Sequence, residues 1–267
     1  MRADLSTDLR ATALRWQGEA RPAVVVEVLA HQGSVPREAG TRMLVSANEV
    51  IGTIGGGHLE LKAIADARAL LRQGSAGQVQ HIALGPSLGQ CCGGALDLRF
   101  TPLAAAEPET WALAPSRFTL QLYGAGHVGR AIVRLLASIP CRVQWIDERE
   151  DEFPTGPLPP HIERICVEPV QAEVATAPPG ACYLVLTHSH DLDMAISQAI
   201  LQRADFAYFG LIGSKTKRAR FEHRLRERGV PAAALQRMTC PIGIAGIGGK
   251  EPEVIAVATV AQLLSIA

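Results

Sequence analysis

The sequence predicts an α/β protein of two domains, the second of which is built on a doubly wound parallel sheet. Its length of 267 residues favours two compact domains over one. Strand-like and helical patterns alternate from residue 118 to the end, whereas the first part is dominated by β-branched runs. A stretch rich in proline and alanine lies between them. We therefore expect an N-terminal α+β domain at 1–101, a linker at 102–117 and the parallel-sheet domain at 118–267.

The N-terminal domain begins with an amphipathic segment that predicts a helix. A second helical pattern runs from about His58 to Gln73 and ends at Gly74, a typical helix stop. The remaining runs are β-branched and are separated by turn residues, which is typical of strands. The predicted strands are AVVVEVLAHQ, TRMLVS, EVIGTIGGG, QVQHIALG and ALDLRF.

The strands predicted in the C-terminal domain are apolar along almost their whole length. This pattern is typical of a parallel sheet that helices cover on both faces, and ligands of such sheets bind at the carboxyl ends of the strands. The last segment, EPEVIAVATVAQLLSIA, predicts a helix that starts at Pro252. The predicted strands are FTLQLYG, RVQWID, RICV, ACYLVLTH and AYFGLIG.

The composition excludes several classes of function. Lysine and arginine number 26, aspartate and glutamate number 26, and the formal net charge is zero, so a general nucleic-acid binder is not expected. No apolar run is long enough to span a bilayer, and the first residues lack the apolar stretch of a signal peptide. We expect a cytoplasmic protein without nucleic-acid or membrane partners.

The six cysteines fall into two groups. Cys91 and Cys92 lie in a glycine-rich loop, where aimed N–H donors would stabilise a thiolate for metal ligation or persulfide chemistry. Two partly buried thiols in a turn explain the same pattern equally well. The chain has no CxxC pair, which argues against a zinc ribbon. The other four lie beside apolar runs and are expected to be buried: Cys141, Cys166, Cys182 and Cys240.

The motif GAGHVG at 124–129 follows a predicted strand and opens a helix, as in Rossmann-type domains. Gly124 permits the tight turn, Gly126 leaves room for a phosphate, and Gly129 allows close packing of helix on strand. Asp147 ends the next strand about 20 residues later, where a ribose-binding acid belongs. A Rossmann scaffold that has lost its ligand remains the alternative.

Two further loops follow predicted strands. THSHDLD at 187–193 contains two histidines and two aspartates that could bind a metal, although helix capping by Ser189 or Asp191 with exposed histidines is the preferred interpretation. Ser214 is a good N-cap for the next helix, but three cations, Lys215, Lys217 and Arg218, crowd its first turn and oppose the helix dipole. A solvated basic face and an anionic ligand at this helix end are equally consistent with the pattern.

In the N-terminal domain, GTIGGG at 52–57 precedes His58 and Glu60. The glycines predict either a tight turn or a nest of N–H groups that binds an anion.

Motifs along nearly the whole chain, in order, carry a family resemblance. They are GSVPREAGTRM, GTIGGGHLE and LGPSLGQCCGG in the first half, and YGAGHVG, THSHDLD, GLIGSKTK and PIGIAGIGGKEP in the second. Together they resemble the XdhC/CoxI family of molybdenum-cofactor maturation factors. The doubled cysteine, and His58 where many relatives have a cysteine, place the chain nearer the XdhC branch than the CoxI branch.

The resemblance implies an XdhC/CoxI domain followed by an XdhC Rossmann domain, and a maturation chaperone rather than an enzyme with turnover. Proteins of this family bind the molybdenum cofactor and hold it while a cysteine desulfurase replaces a molybdenum oxo ligand with sulfide. They then deliver it to the molybdenum subunit of apo-xanthine dehydrogenase. The resemblance also suggests a homodimer.

Residue roles follow from the resemblance as hypotheses. The glycine motif would hold the phosphate of molybdopterin, or the pyrophosphate of its dinucleotide form, and Lys215 would add positive charge. Cys92, with Cys91 beside it, would ligate molybdenum or accept sulfur, because thiolate is a soft donor. The other candidate cofactor-binding residues are His58, Glu60, His127, Asp147, His188 and Ser214.

Two other functions compete with the chaperone. An NAD-dependent oxidoreductase shares the glycine motif and Asp147. No proton-transfer residue stands in a recognisable dehydrogenase arrangement, although His188 and His190 stay open as candidates. A redox or nucleotide sensor would use the Rossmann domain as a binding module. The sequence does not decide whether NAD binds.

Overall fold

The computed structural model describes residues 9–74, 77–84, 94–112 and 115–266. These divide into two compact units, 9–112 and 115–266, each with its own sheet. The first sheet is antiparallel and the second is parallel, which confirms the predicted α/β class with an α+β domain followed by a Rossmann-type domain.

The N-terminal unit is a five-stranded antiparallel sheet with one helix on each face. The strand order is β3-β2-β1-β5-β4. Side chains alternate along β1, so that one face packs on α2 and the other on α1. The elements are α1 (Leu9–Gly18), β1 (Ala23–Gln32), β2 (Arg42–Ser46), β3 (Val50–Gly52), α2 (Gly57–Gln73), β4 (Gln78–Ala83) and β5 (Ala95–Pro102).

Part of the stretch predicted as a linker belongs to this unit. Two 3-10 turns, Leu103–Ala105 and Pro108–Thr110, follow β5. The side chains of Leu103 and Trp111 are buried against the α1 face of the sheet, where they complete its apolar cluster. Residues 103–111 therefore cover part of the α1 face of the sheet.

The C-terminal unit is a six-stranded parallel sheet in the order β8-β7-β6-β9-β10-β11. The order reverses between β6 and β9, and in such sheets this switch point creates the ligand crevice. The elements are β6 (Thr119–Tyr123), α3 (His127–Leu136), β7 (Arg142–Asp147), β8 (Ile162–Cys166), β9 (Cys182–Val185), α4 (His190–Arg203), β10 (Tyr208–Leu211), α5 (Lys215–Glu227), α6 (Ala232–Gln236), β11 (Met238–Thr239) and α7 (Pro252–Leu264).

Apolar side chains cover both faces of this parallel sheet. One cluster packs Tyr183 and Phe209 against α4 and α5, and the other packs Leu122 and Trp145 against α3 and α7. Strands β9 and β10 are buried at every residue, as their continuous apolar sequences predict. Within the described ranges, no helix is both long and apolar enough to cross a membrane.

Two expectations need correction. Cys141, Cys182 and Cys240 are buried, but Cys166 is exposed. It is the last residue of β8, a strand at one edge of the sheet where three of the five side chains are exposed. The sequence patterns also missed α6 and β11, since elements of five and two residues are too short to show a period.

Candidate functional site

The turn after β6 contains two glycines that the fold itself requires. Gly124 has φ of 120°, and a Cβ there would lie 2.3 Å from the carbonyl oxygen of Leu186. A Cβ on Gly129 would lie 2.1 Å from the carbonyl oxygen of Gly124. These contacts hold the turn against the loop after β9 and bring α3 close to the sheet, so both glycines are explained by packing.

Gly126 differs from its two neighbours in the motif. Its φ of −69° and ψ of −169° are open to any residue. A Cβ built at this position meets no heavy atom of the described chain within 4 Å. Packing among the described residues therefore gives no reason for a glycine here. The open space lies at the N-cap of α3, where the amides of the first turn favour an anion.

Asp147 at the end of β7 is buried and saturated with hydrogen bonds. Its Oδ2 accepts from the N–H of Ala125 at 2.7 Å and from Nη2 of Arg149 at 3.0 Å. Its Oδ1 accepts from the backbone N–H and from Nε of Arg149, both at 3.0 Å. A carboxylate offers about four acceptor positions. All of them are used inside the chain, so Asp147 ties the strand end to the glycine turn.

The surroundings of Asp147 favour its charged form. Burial alone would raise the pKa of Asp147, but the hydrogen bonds from Arg149 and from the N–H of Ala125 outweigh burial and lower the pKa. Arg149 is itself held by Glu152, whose Oε1 lies 3.3 Å from Nη1. Arg130 of α3 in turn donates to Oε2 of Glu152 at 2.7 Å. A network of alternating charge therefore connects α3 to the end of β7.

His188 lies at the same edge of the sheet as the glycine turn. Its Nε2 is 3.6 Å from Oε1 of Glu148, the residue after β7. Because β6 lies between β7 and β9 in the sheet, the two side chains meet across the carboxyl end of β6. His190, like His188, is exposed, and Ser189 caps α4 by accepting from the N–H groups of Asp191 and Leu192. Capping, the preferred interpretation of this loop, is confirmed.

A buried ion pair at the same edge was missed by the sequence analysis. Nζ of Lys217 lies 2.6 Å from Oδ2 of Asp193 and 2.8 Å from the carbonyl oxygen of Ile212. Oδ1 of Asp193 accepts from the N–H and the hydroxyl of Thr187 at 3.0 and 2.7 Å. The side chain of Asp193 is only 1% exposed. The pair therefore connects the loop after β9 to the loop after β10.

This pair changes the interpretation of the basic turn at the start of α5. Lys217 is neutralised by Asp193, and Arg218 is neutralised by Glu222 at 2.7 Å. Of the three cations, Lys215 alone is fully at the surface and has no ion pair within the described ranges. Ser214 caps the helix by accepting from the N–H of Lys217 at 3.2 Å. The positive charges of Lys217 and Arg218 are therefore balanced within the chain, without an anionic ligand.

In the N-terminal unit, the carboxylate of Glu60 fills the turn that precedes α2. Its Oε2 accepts from the hydroxyl of Thr53 at 2.5 Å and from the N–H groups of Ile54 and Gly56 at 3.1 Å each. The nest of N–H groups therefore exists, and its anion is a side chain of the protein itself. His58 is exposed in the first turn of α2.

Cys91 and Cys92 lie outside the described residues, and so does the remainder of their loop. Their assignment to the molybdenum cofactor stays a prediction. Within the four described ranges, no group of three or more histidine, cysteine, aspartate or glutamate side chains is arranged to hold a metal ion.

Comparisons with known families match both units. Residues 120–263 match the XdhC Rossmann domain, and residues 16–82 match the XdhC and CoxI family. The first match covers the glycine turn, Asp147 and the ion pair between Asp193 and Lys217.

Two individual proteins resemble the chain over most of its length. The uncharacterized protein YqeB of Escherichia coli K12 is 28% identical over 254 residues, which is 92% of this chain and 43% of YqeB. The chain thus spans less than half the length of that relative. A crystal structure from Bacillus halodurans, described as a xanthine dehydrogenase, has a TM-score of 0.71 at 18% identity and covers 98% of this chain and 95% of its own. At that identity it shows a shared fold.

Proposed function

Because the chain belongs to the XdhC and CoxI family, we propose that it is an accessory protein of xanthine dehydrogenase that carries the molybdenum cofactor. It holds the cofactor as cargo while a cysteine desulfurase supplies sulfur, and it delivers the cofactor to the apo-dehydrogenase. The observation that carries this proposal is the open space beside Gly126, at the N-terminus of α3. We expect the carrier to be a homodimer.

The phosphate end of the cofactor fits this space for three reasons. The first-turn amides of α3 point their partial positive charge toward it. The missing Cβ of Gly126 lets phosphate oxygens reach the backbone. Lys215 follows β10 at the carboxyl edge of the same sheet, is exposed, and supplies a mobile positive charge. These features are assigned to the phosphate end of the cofactor alone. They leave the pterin and the metal to other residues.

The metal end requires a soft ligand, and we assign it to Cys92. Thiolate is the side-chain donor that suits a soft metal centre, and glycines on both sides of the cysteine pair let backbone N–H groups stabilise a thiolate. The four cysteines of the C-terminal unit are poorer candidates for this role, because three of them are buried.

An NAD-dependent oxidoreductase is the alternative, and two observations favour it. The strand order and the acid at the end of β7 match dinucleotide-binding domains. The hydrogen bonds of Asp147 argue against it, because Arg149 and Ala125 occupy the acceptor positions that ribose hydroxyls need. NAD would therefore have to displace Arg149.

The test compares protein purified from cells that can and cannot make molybdopterin, with bound pterin assayed as its fluorescent oxidised form. We expect pterin only in the first sample, and a loss of about tenfold or more in the Gly126→Ala variant, because its methyl group enters the phosphate space. Gly156→Ala is the matched control, since Gly156 also has open space around it. Absence of pterin from both samples, together with tight NAD binding, would establish the alternative.

The assignment of the thiol has its own prediction. Cys92→Ala is expected to lower the molybdenum content per chain more than Cys91→Ala, because only Cys92 is assigned to the metal. Molybdenum is measured by mass spectrometry on protein purified from the pterin-competent cells. Equal retention of molybdenum by both variants contradicts the assignment of Cys92 to the metal. It does not affect the assignment of Gly126 to the phosphate.

A further inference from the structure

Three charged side chains form a ladder across the N-terminal sheet. Glu27 of β1 lies directly opposite Arg42 of β2 and opposite Arg99 of β5. Directly opposed residues share one face of a sheet, here the face that α1 covers. Oε1 of Glu27 accepts from Nη2 of Arg42 at 2.5 Å, and Oε2 accepts from Nη2 and Nε of Arg99 at 2.5 and 3.1 Å. One nearly buried carboxylate thus holds two guanidinium groups together.

The ladder forms one wall of a cavity of about 260 Å³. The opposite wall comes from residues 103–111, which the sequence suggested were a linker. The lining combines cationic, hydroxyl and apolar groups, among them Arg42, Arg99, Thr101, Val25, Ala106 and Trp111.

The two guanidinium groups retain unused donors. Each contacts Glu27 through Nη2, and within the described residues Nη1 of neither arginine has a recorded acceptor. The guanidinium carbon of Arg42 lies 4.9 Å from the centre of the Trp111 ring, within the range of a cation–π contact. Glu27 cancels one of the two positive charges of the inner wall, whereas Glu107 is exposed at the rim, where solvent and salt screen its charge. The inner wall therefore keeps one net positive charge, which a ligand with a single negative charge would balance.

From this arrangement we propose that the N-terminal unit binds a small organic carboxylate in this cavity. The planar fork of an arginine matches a carboxylate in two parallel hydrogen bonds. The apolar wall of Val25, Ala106 and Trp111 packs against the hydrocarbon part of the ligand. A phosphate dianion would bring one negative charge more than the two arginines can offset beside Glu27. The site is independent of the proposed function, because none of the residues that line it is assigned to the phosphate or the metal of the cofactor.

The test uses benzoate as the probe, with benzamide as its neutral isostere and inorganic phosphate as the competing anion. Binding is followed by ligand-observed NMR and by the fluorescence of Trp111, with a Trp111→Phe variant to identify the fluorescence signal. A ligand of this size is expected to bind with a Kd of roughly 1 mM. Benzoate should bind about tenfold or more tightly than benzamide or phosphate. Equal binding of benzoate and benzamide, or no binding of benzoate, overturns the proposal.

Two variants locate the binding. Arg99→Gln should weaken benzoate binding about tenfold or more, while Arg72→Gln, an exposed position on α2, should leave it unchanged. Because Arg99→Gln also removes a partner of Glu27, its folding is checked by circular dichroism. Ala105→Leu fills the cavity from an exposed position without changing any charge and should abolish binding. Benzoate binding that persists in Ala105→Leu would place the ligand elsewhere and overturn the assignment.

Discussion

At the scale of single residues, the three glycines of the turn after β6 separate packing from ligand binding. Gly124 and Gly129 lie so close to backbone carbonyl oxygens that a methyl group has no room. Gly126 has ordinary backbone angles and open space, so the described chain itself does not select for glycine there. The three positions look alike in a GxGxxG motif, and the two kinds of requirement become visible only in three dimensions.

This difference predicts opposite effects of the same substitution on stability. Gly129→Ala should lower the free energy of unfolding by about 2 kcal/mol or more, because its Cβ would overlap the carbonyl oxygen of Gly124. Gly126→Ala should leave it unchanged or raise it by about 0.5 kcal/mol, because alanine restricts the unfolded chain. Urea denaturation followed by circular dichroism measures both. A Gly126→Ala variant as unstable as Gly129→Ala would mean that packing explains Gly126 after all.

The sequence predicts the residues of the glycine turn but not the state of Asp147. Spacing places an acid at the end of the second strand of the sheet, and β7 does end there. The side chain of Arg149 folds back onto this acid because of the path that the chain takes after the strand. The spacing of residues in the sequence does not predict that path. Cys166 illustrates the same limit, since its apolar neighbourhood predicts burial and its position on an edge strand exposes it.

At the scale of elements, the ion pair between Asp193 and Lys217 joins α4 to α5. The two residues are 24 positions apart, so no local pattern pairs them. One indirect signal did exist, because three cations in the first turn of α5 oppose the helix dipole and call for a compensating charge. An external anion at this helix end is one explanation that the sequence allows. For Lys217 the compensating charge is Asp193 of the neighbouring helix.

Because this pair is buried, we expect substitutions of Lys217 and Lys215 to differ strongly in their effect on the free energy of unfolding. Lys217→Met leaves the buried carboxylate of Asp193 without its partner and should lower the free energy of unfolding by about 3 kcal/mol. Lys215→Met, on an exposed side chain of the same helical turn, should change it by less than about 0.5 kcal/mol. Thermal and urea unfolding measure both variants. Equal stabilities of the two variants would show that solvent, not Asp193, neutralises Lys217.

At the scale of the whole molecule, each unit has a hydrophobic core of its own. The clusters of the C-terminal unit draw only on residues after 117, and those of the N-terminal unit only on residues before 112. Alternating strand and helix patterns predicted the parallel sheet of the C-terminal unit, and the strand pairing confirms it. The strand orders were beyond the sequence analysis, because periodicity shows which residues face a core but not which strands are neighbours.

Separate cores predict that a fragment of residues 115–267 folds alone. It should unfold in one cooperative transition by circular dichroism, because both faces of its sheet are covered by its own helices. Leu122→Ala in this fragment removes a fully buried side chain and should lower the midpoint by about 5 °C or more. A fragment without a cooperative transition, or one insensitive to Leu122→Ala, contradicts the prediction.

The contacts of Lys217 have a mechanical consequence for the carboxyl edge of the parallel sheet. Its ammonium group holds the Asp193 side chain and the Ile212 carbonyl oxygen at once, while Asp193 holds Thr187. A displacement of the loop that follows β9 is therefore expected to displace the first turn of α5 as well. Through these contacts the rim behind β9 and the rim behind β10 are mechanically coupled at this edge of the parallel sheet.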